Sequence, residues 1–238
     1  LRLHLHDDLM ISKKTGPTDL VTQMDQQVQK DLVEKITHRY PEDRIFAEEN
    51  GLRSPISEGS VWVIDPIDGT NNFVTQKEDF AVMVAYFEDG IGQFGLIYDV
   101  MRDHLFYGGG EFPVYRNEVE LTPFVDQPLE NFLIASNVGM LEKNDWGMAD
   151  LGMDSLGIRV YGSAGISFSK ILSGGILAYF SYIWPWDYAA PAIMGAQPAH
   201  PVLNLNPDNP HYQPVEPIMM VPKAKLTEIQ TYLKKGRS

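Results

Sequence analysis

The run Trp62-Val63-Ile64-Asp65-Pro66-Ile67-Asp68-Gly69-Thr70-Asn71-Asn72-Phe73 constrains this chain more than any other stretch. A compact apolar strand, Val61 to Ile64, stops at Asp65-Pro66. Pro66 fixes its own φ and pushes Asp65 toward an extended conformation. Two carboxylates then stand three residues apart, and Gly69-Thr70 follows at once. Carboxylates are hard oxygen ligands for a cation such as Mg²⁺, and the Ile67 carbonyl offers a neutral oxygen beside them. Gly and Thr present free backbone N–H groups to an anion where a helix or turn begins. Metal and anion in one short loop suit phosphate ester cleavage. Taken alone, Asp-Pro-Ile-Asp-Gly also suits a plain turn. The apolar strand before it and Thr70 after it favour a site.

The whole chain sets limits on partners. With 238 residues it can bury a sizeable core in one or two domains. Net charge is −13, which argues against broad binding to nucleic acid or anionic membranes. There is no Cys, which excludes disulfides, thiol catalysis and Cys-based metal centres and suits the cytoplasm. No apolar run is long enough for a transmembrane helix, and the start lacks a signal-peptide pattern. The chain begins at Leu1 rather than Met, so native residues are expected before it.

Periodicity predicts an amphipathic helix from Thr18 to about Thr37, capped by Thr18 or Asp19 after Gly16-Pro17. Strands are expected at Arg44–Ala47, Phe80–Phe87, Ile91–Tyr98, Leu105–Tyr107 and Pro113–Tyr115, with an Asp89-Gly90 hairpin. This half, about 1–118, looks like helix on a largely antiparallel sheet. The second half, about 119–238, is expected to be α/β. It has strands at Phe132–Ala135, Ile158–Val160, Ile176–Ile183 and Ile218–Val221, and helices at Ser163–Ser173, Asp187–Met194 and Leu226–Leu233. Pro191 is tolerable only in a first turn. Gln197–Pro217, dense in Pro, Asn and His, reads as a long loop. The halves together are expected to form a single domain.

Three other acidic places bear on the first. Glu48-Glu49 alone is solvated surface. Asp25 touches the buried stripe of the first helix and needs a partner, either a cation side chain or a metal. Asp187, alone, is a helix N-cap. The six His show no zinc spacing, and His4 and His6 are taken as surface residues.

Taken together, these blocks resemble a known family. Val61–Thr75 resembles the first signature of the inositol monophosphatase family, and Trp186–Met194 is similar to the second. Lys14, Thr18–Asp25, Glu48-Glu49, Asp65–Thr70, Gly162-Ser163-Ala164 and Trp186-Asp187 follow in the family's order, over roughly residues 13–195 and in a bacterial style. The resemblance implies a layered α-β-α-β-α fold, as in inositol monophosphatase and fructose-1,6-bisphosphatase. It also implies Mg²⁺-dependent phosphomonoester hydrolysis, lithium sensitivity and a homodimer. Carried over by position, Glu48, Asp65 and the Ile67 carbonyl hold one Mg²⁺, and Asp65, Asp68 and Asp187 hold a second. Glu48 holds a third ion through water. Asp25 with Thr70 activates the attacking water. Gly69 and Thr70 hold the phosphate, with Asp68, Gly162, Ser163, Ala164 and Asp187 around the substrate. Five carboxylates packed together repel one another, and divalent cations relieve that repulsion.

The chain also departs from the family. Inositol-specific members carry a glutamate about seven residues before the second-signature aspartate. Here Phe180 or Ser181 stands there, depending on a one-residue gap. Tyr182 or Trp184 offers a surface for a flatter group such as a nucleotide, although alternation that buries one strand face accounts for most of that aromatic cluster. Alternative substrates are therefore NADP(H), fructose 1,6-bisphosphate and adenosine 3′,5′-bisphosphate. A different class, a non-catalytic phosphate-binding protein, is disfavoured because Asp25, Glu48, Asp65, Asp68, Thr70 and Asp187 are all present.

Overall fold

The computed structural model describes residues 1, 2, 5, 11–13, 20–122, 124–196 and 199–235. Lys14, the expected Gly16–Asp19 cap region, His4, His6, Gln197 and Pro198 lie outside them. Strands β1 (Ile11–Lys13) and β2 (Leu20–Thr22) form an antiparallel pair. Helix α1 follows at Gln23–Arg39, later than the periodicity predicts, because Thr22 caps it. Thr22 Oγ1 accepts from the N–H groups of Met24 (3.1 Å) and Asp25 (3.4 Å). The Asp25 carboxylate accepts in return from the Thr22 N–H at 2.8 Å. This reciprocal box satisfies donors that a helix start leaves open.

A seven-stranded sheet comes next in the chain. It contains β3 (Arg44–Ala47), β4 (Ser60–Asp68), β5 (Ala81–Glu88), β6 (Ile91–Asp99), β7 (His104–Gly109), β8 (Phe112–Arg116) and β9 (Val119–Glu120). Only β3–β4 is parallel. Asp89 (φ 48°) and Gly90 (φ 80°) turn the β5–β6 hairpin as expected. Strand β4 does not stop at Asp65. It runs on to Asp68 through a register shift between those residues, and this irregularity absorbs Pro66, which has no N–H for the ladder. Helix α2 (Thr70–Thr75) then starts from Gly69.

The second sheet has the order β11-β10-β12-β14-β13. Its strands are β10 (Leu133–Ser136), β11 (Gly157–Arg159), β12 (Ala178–Ile183), β13 (Val202–Asn204) and β14 (Glu216–Met220). Its helices are α3 (Val138–Glu142), α4 (Met148–Asp154), α5 (Ala164–Leu172), α6 (Pro185–Met194) and α7 (Leu226–Lys235). Neither α3 nor α4 was expected. Pro191 lies inside α6, past its first turn, which corrects that expectation. Gln197–Pro217 is not simply a loop. It contains β13, and the buried Glu216 gathers it by accepting from the N–H groups of His211 (2.9 Å) and Gln213 (3.1 Å) and from Asn204 Nδ2 (3.2 Å).

The layers are α-β-α-β-α, as expected. Helices α1 and α2 cover β3–β5 through Leu32, Ile36, Ile64, Ile67 and Phe73. The main core packs α5 and α6 between the sheets, with Val63, Met83, Phe168, Tyr179, Tyr188 and Ile193. A further cluster joins the outer face of the second sheet to α3, α4 and α7 through Met140, Leu151, Phe180, Met219 and Ile229. Each such side chain contributes about 1.5–3 kcal/mol of burial. Gly95 lets α6 lie directly on β6, since a methyl there would overlap the Ala190 backbone. That close approach brings the start of α6 toward the end of β4.

Candidate active site

Strand β4 supplies Asp65 and Asp68, and α6 supplies Asp187. One oxygen from each lies within 4.8 Å of the others. Asp187 is the third residue of α6 and not its N-cap, which is Trp184. Its Oδ2 accepts from the Trp184 N–H at 2.8 Å, so the cap contact fixes the carboxylate. Glu48, just past β3, and Asp187 both act on Asp65 at close range. Burial, then the charges of Glu48, Asp68 and Asp187, hold the Asp65 carboxyl well above the ordinary range. Burial, then Asp68 and Glu48, does the same to Asp187. Asp65 Oδ1 is buried with no hydrogen-bond partner among the described residues. An acceptor with no donor, inside a cluster of acids, fits a cation. The oxygen-only donor set suits Mg²⁺.

Asp68 has a different surrounding. It accepts from Ser163 Oγ, from the Ala164 N–H at 3.0 Å and from the Gly165 N–H at 2.7 Å. Its carboxylate thus sits on the N-terminus of α5. Burial raises its pKa, and these three donors oppose the rise. The Gly162-Ser163-Ala164 turn is placed from α2. Asn72 Nδ2 donates to the Tyr161 carbonyl at 2.7 Å and to that of Asp79 at 2.8 Å. Gly69 is left-handed (φ 87°), and a methyl there would come within 2.9 Å of Ser163 Cβ. Only glycine fits this junction.

Asp25 is fully buried. Among the described residues its partners are hydroxyls and a backbone N–H, not a lysine or arginine. Thr22 Oγ1 donates to Oδ2 at 2.6 Å, and Thr70 Oγ1 lies 2.9 Å from Oδ1. The Thr70 hydroxyl also lies 3.0 Å from the Ile67 carbonyl. Glu49 is buried rather than solvated. Its backbone is clamped by Gln29, whose Nε2 donates to the Glu49 carbonyl (2.9 Å) and whose Oε1 accepts from its N–H (2.8 Å). Gln29 follows Asp25 by one helical turn, and polar residues at that spacing on the inward stripe are the signal that would have found it.

A cavity of about 330 Å³ opens beside Asp68 and Asp187, walled by Ser136, Asn137, Tyr161, Tyr179 and Ser181 among others. Among the described residues that line it, the only charges are Asp68 and Asp187. Ser181 faces it, whereas Phe180 is buried in the cluster on the opposite face of the sheet. Of the two positions the sequence left open, Ser181 is therefore the one that borders the cavity. Asn137 Nδ2 donates to its Oγ at 3.0 Å. Strand β12 is central and buried on both faces save Tyr182, so one-face alternation does not describe it. Trp184 is 39% exposed and stacks on Trp186 with ring centres 4.9 Å apart.

The model of the inositol monophosphatase family matches residues 1–194. The chain belongs to the inositol monophosphatase family. Members are phosphoric monoester hydrolases, and this chain is one of them. It is 38% identical over 196 residues to the inositol-1-monophosphatase of Bacillus subtilis (strain 168), covering 80% of this chain and 74% of that protein. It is 29% identical over 205 residues to inositol monophosphatase 1 of Mus musculus, covering 82% and 74%. The crystal structure of Staphylococcal IMPase-II is 31% identical with a TM-score of 0.83, covering 89% of this chain and 82% of that one. An IMPase/NADP phosphatase solved with Mg²⁺ and phosphate shares the fold at a TM-score of 0.89 and 24% identity, covering 97% and 88%.

Proposed function

We propose that this chain hydrolyses small phosphate monoesters, inositol monophosphates foremost, with two or three Mg²⁺ ions held by Glu48, Asp65, the Ile67 carbonyl, Asp68 and Asp187. The observation that carries the metal reading is the buried Asp65 oxygen without a donor inside a set of mutually repelling carboxyls. Bound Mg²⁺ supplies Lewis acidity, lowering the pKa of water and neutralising phosphoryl oxygens. The residues of the chain do the rest. Asp25 holds the Thr70 hydroxyl, and the pair orients the attacking water and takes its proton. The N–H groups of Gly69 and Thr70 receive the phosphate at the start of α2. The leaving group lies in the cavity toward Ser136, Asn137 and Ser181, with Gly162–Ala164 at its edge.

Broad specificity follows from the side of the cavity away from Asp68 and Asp187, where Ser136, Asn137 and Ser181 are uncharged. Ser181 offers a hydroxyl where inositol-specific relatives offer a carboxylate, so polyol selectivity is relaxed. NADP(H) is the second reading, supported by the exposed Trp184 ring, which follows the cavity-lining Ile183 in the chain. Fructose 1,6-bisphosphate and adenosine 3′,5′-bisphosphate are less favoured, because no cationic side chain among the described residues lines the cavity to meet a second phosphate. Further parts of the proposal are one phosphatase domain over 1–238, inhibition by lithium, a homodimer and a cytoplasmic setting. No helix among the described residues is long and apolar enough to cross a membrane. The test is phosphate release, with and without Mg²⁺, from inositol 1-phosphate, NADP⁺ and the two bisphosphates. Mg²⁺-dependent release from inositol 1-phosphate is expected. A folded, Mg²⁺-binding protein that releases phosphate from none of them would refute the reading.

A further inference from the structure

Glu48 is the one carboxylate of the cluster carried neither by β4 nor by α6. Its loop is held from two sides. Gln29 clamps the Glu49 backbone from α1. From the other side, Arg53 donates through Nη1 to the carbonyls of Ala47 and, at 3.0 Å, Leu52, and through Nη2 to the Glu48 carbonyl at 3.2 Å. The guanidinium carbon lies 4.6 Å from the centre of the Trp186 ring and 5.6 Å from that of Phe46. Trp186 immediately precedes Asp187, and it lies within 6° of parallel to Trp184, whose N–H holds Asp187. One line of contacts thus runs from the Glu48 carbonyl through Arg53 and Trp186 to Asp187.

We propose that Arg53 is a positioning residue of the metal site, tying the Glu48 loop to the start of α6 and so fixing how far Glu48 stands from Asp187. This rests on the metal reading above. A guanidinium serves here because its edge donates to several carbonyls while its face stacks on an aromatic ring. A lysine ammonium does one or the other. The charge itself works against the site, since a cation beside the cluster repels Mg²⁺. Arg53→Lys keeps that charge, so any loss of affinity in it reports geometry alone.

The experiment is a calorimetric Mg²⁺ titration of the wild type and Arg53→Lys, with tryptophan emission followed in parallel and kcat measured at saturating Mg²⁺. Mg²⁺ binding about tenfold weaker is expected, the usual scale for an outer partner of a metal site. The kcat at saturation should fall far less than the affinity. Unchanged affinity in folded Arg53→Lys overturns the proposal, and so does a lowered Tm with unchanged affinity, which marks a merely structural arginine. Should Arg53→Lys fail to fold, Trp186→Phe, with a smaller face under the guanidinium, must still weaken Mg²⁺ binding, and equal affinity there overturns the proposal. A wild type that binds no Mg²⁺ refutes the metal reading itself and the proposal with it.

Discussion

Thr70 Oγ1 lies 2.9 Å from Asp25 Oδ1, across 45 residues of chain and between two elements, α1 and α2, on the same side of the first sheet. The other Asp25 oxygen is held by Thr22. The pair is therefore held from both sides, and Asp25 is not one of the three acids whose oxygens lie within 4.8 Å of one another. Removing its function should affect the reaction and leave metal binding alone. Asp25→Asn is expected to lower kcat by about 10²–10⁴, the scale of a lost general base. Its Mg²⁺ affinity by calorimetry should stay near wild type. A variant with normal kcat would remove Asp25 from the mechanism.

Asp68 faces both ways, toward Asp65 and Asp187 and toward the N-terminus of α5. Asp68→Asn keeps the size and one acceptor oxygen but removes the charge. Turnover is expected to fall by orders of magnitude, with weaker Mg²⁺ binding, while circular dichroism stays native. Near-normal activity would show that the second ion does not need Asp68.

The acidic cluster makes a prediction about pH. Asp65, Asp68 and Asp187 have folded-state pKa values raised above the ordinary carboxylate range. A raised carboxyl pKa means that the folded state binds protons more readily than the unfolded state. Its cost to stability is fully present above the folded pKa, is relieved as pH falls through that value, and is gone below the ordinary one. This cluster should therefore raise the Tm of metal-free protein as pH drops from 8 toward mild acid. Mg²⁺ needs the deprotonated ligands, so the Tm gain it gives should shrink over the same range. Differential scanning fluorimetry with EDTA or Mg²⁺ checks both slopes. A metal-free Tm that falls steadily with acidification, in the wild type and in Asp65→Asn alike, would contradict the assignment.

The β4–α2 junction could be read in advance because its information is local. Apolar residues, two acids, a proline and a glycine follow one another in the chain. Strand β4 outran its expected end because a bulge can absorb Pro66, and that depends on the partner strand β5, not on the sequence near Pro66. Arg53 and Asn72 were missed for another reason. They act mainly on backbone carbonyls, which every residue offers, so no partner residue type marks them in a sequence. Ser181 and Phe180 could not be separated by counting either. Alternation puts one on each face of β12, and only the packed helices decide which face is the cavity.

Gly69 links backbone conformation to the site. Its φ of 87° is left-handed, and an added Cβ would press on Ser163. Gly69→Ala should cost about 1–2 kcal/mol for the backbone alone, with more from moving Ser163 away from Asp68. Activity should fall further than stability, because the shift displaces both the phosphate N–H groups and the start of α5. Urea unfolding and kcat/KM measured together check this. An alanine variant with wild-type kcat/KM would mean that this junction tolerates movement.

Glu216 tests whether the second sheet can be weakened without touching the acidic cluster. It is buried and accepts from Tyr188, Asn204, His211 and Gln213. Glu216→Ala removes an acceptor that these donors share, and leaves the Tyr188 hydroxyl inside the main core. Stranding buried donors costs about 1–3 kcal/mol each when no water replaces the acceptor. Here the 204–217 segment is partly exposed and can recruit water, so a total of about 2–4 kcal/mol is expected. Tyr188 lies one residue beyond Asp187, yet α6 is also held by Ala190 against Gly95 and by Trp186 under Arg53. Mg²⁺ affinity should therefore stay within about twofold while Tm falls by several degrees. Loss of Mg²⁺ binding in folded Glu216→Ala would show that the second sheet helps to place Asp187 through Tyr188.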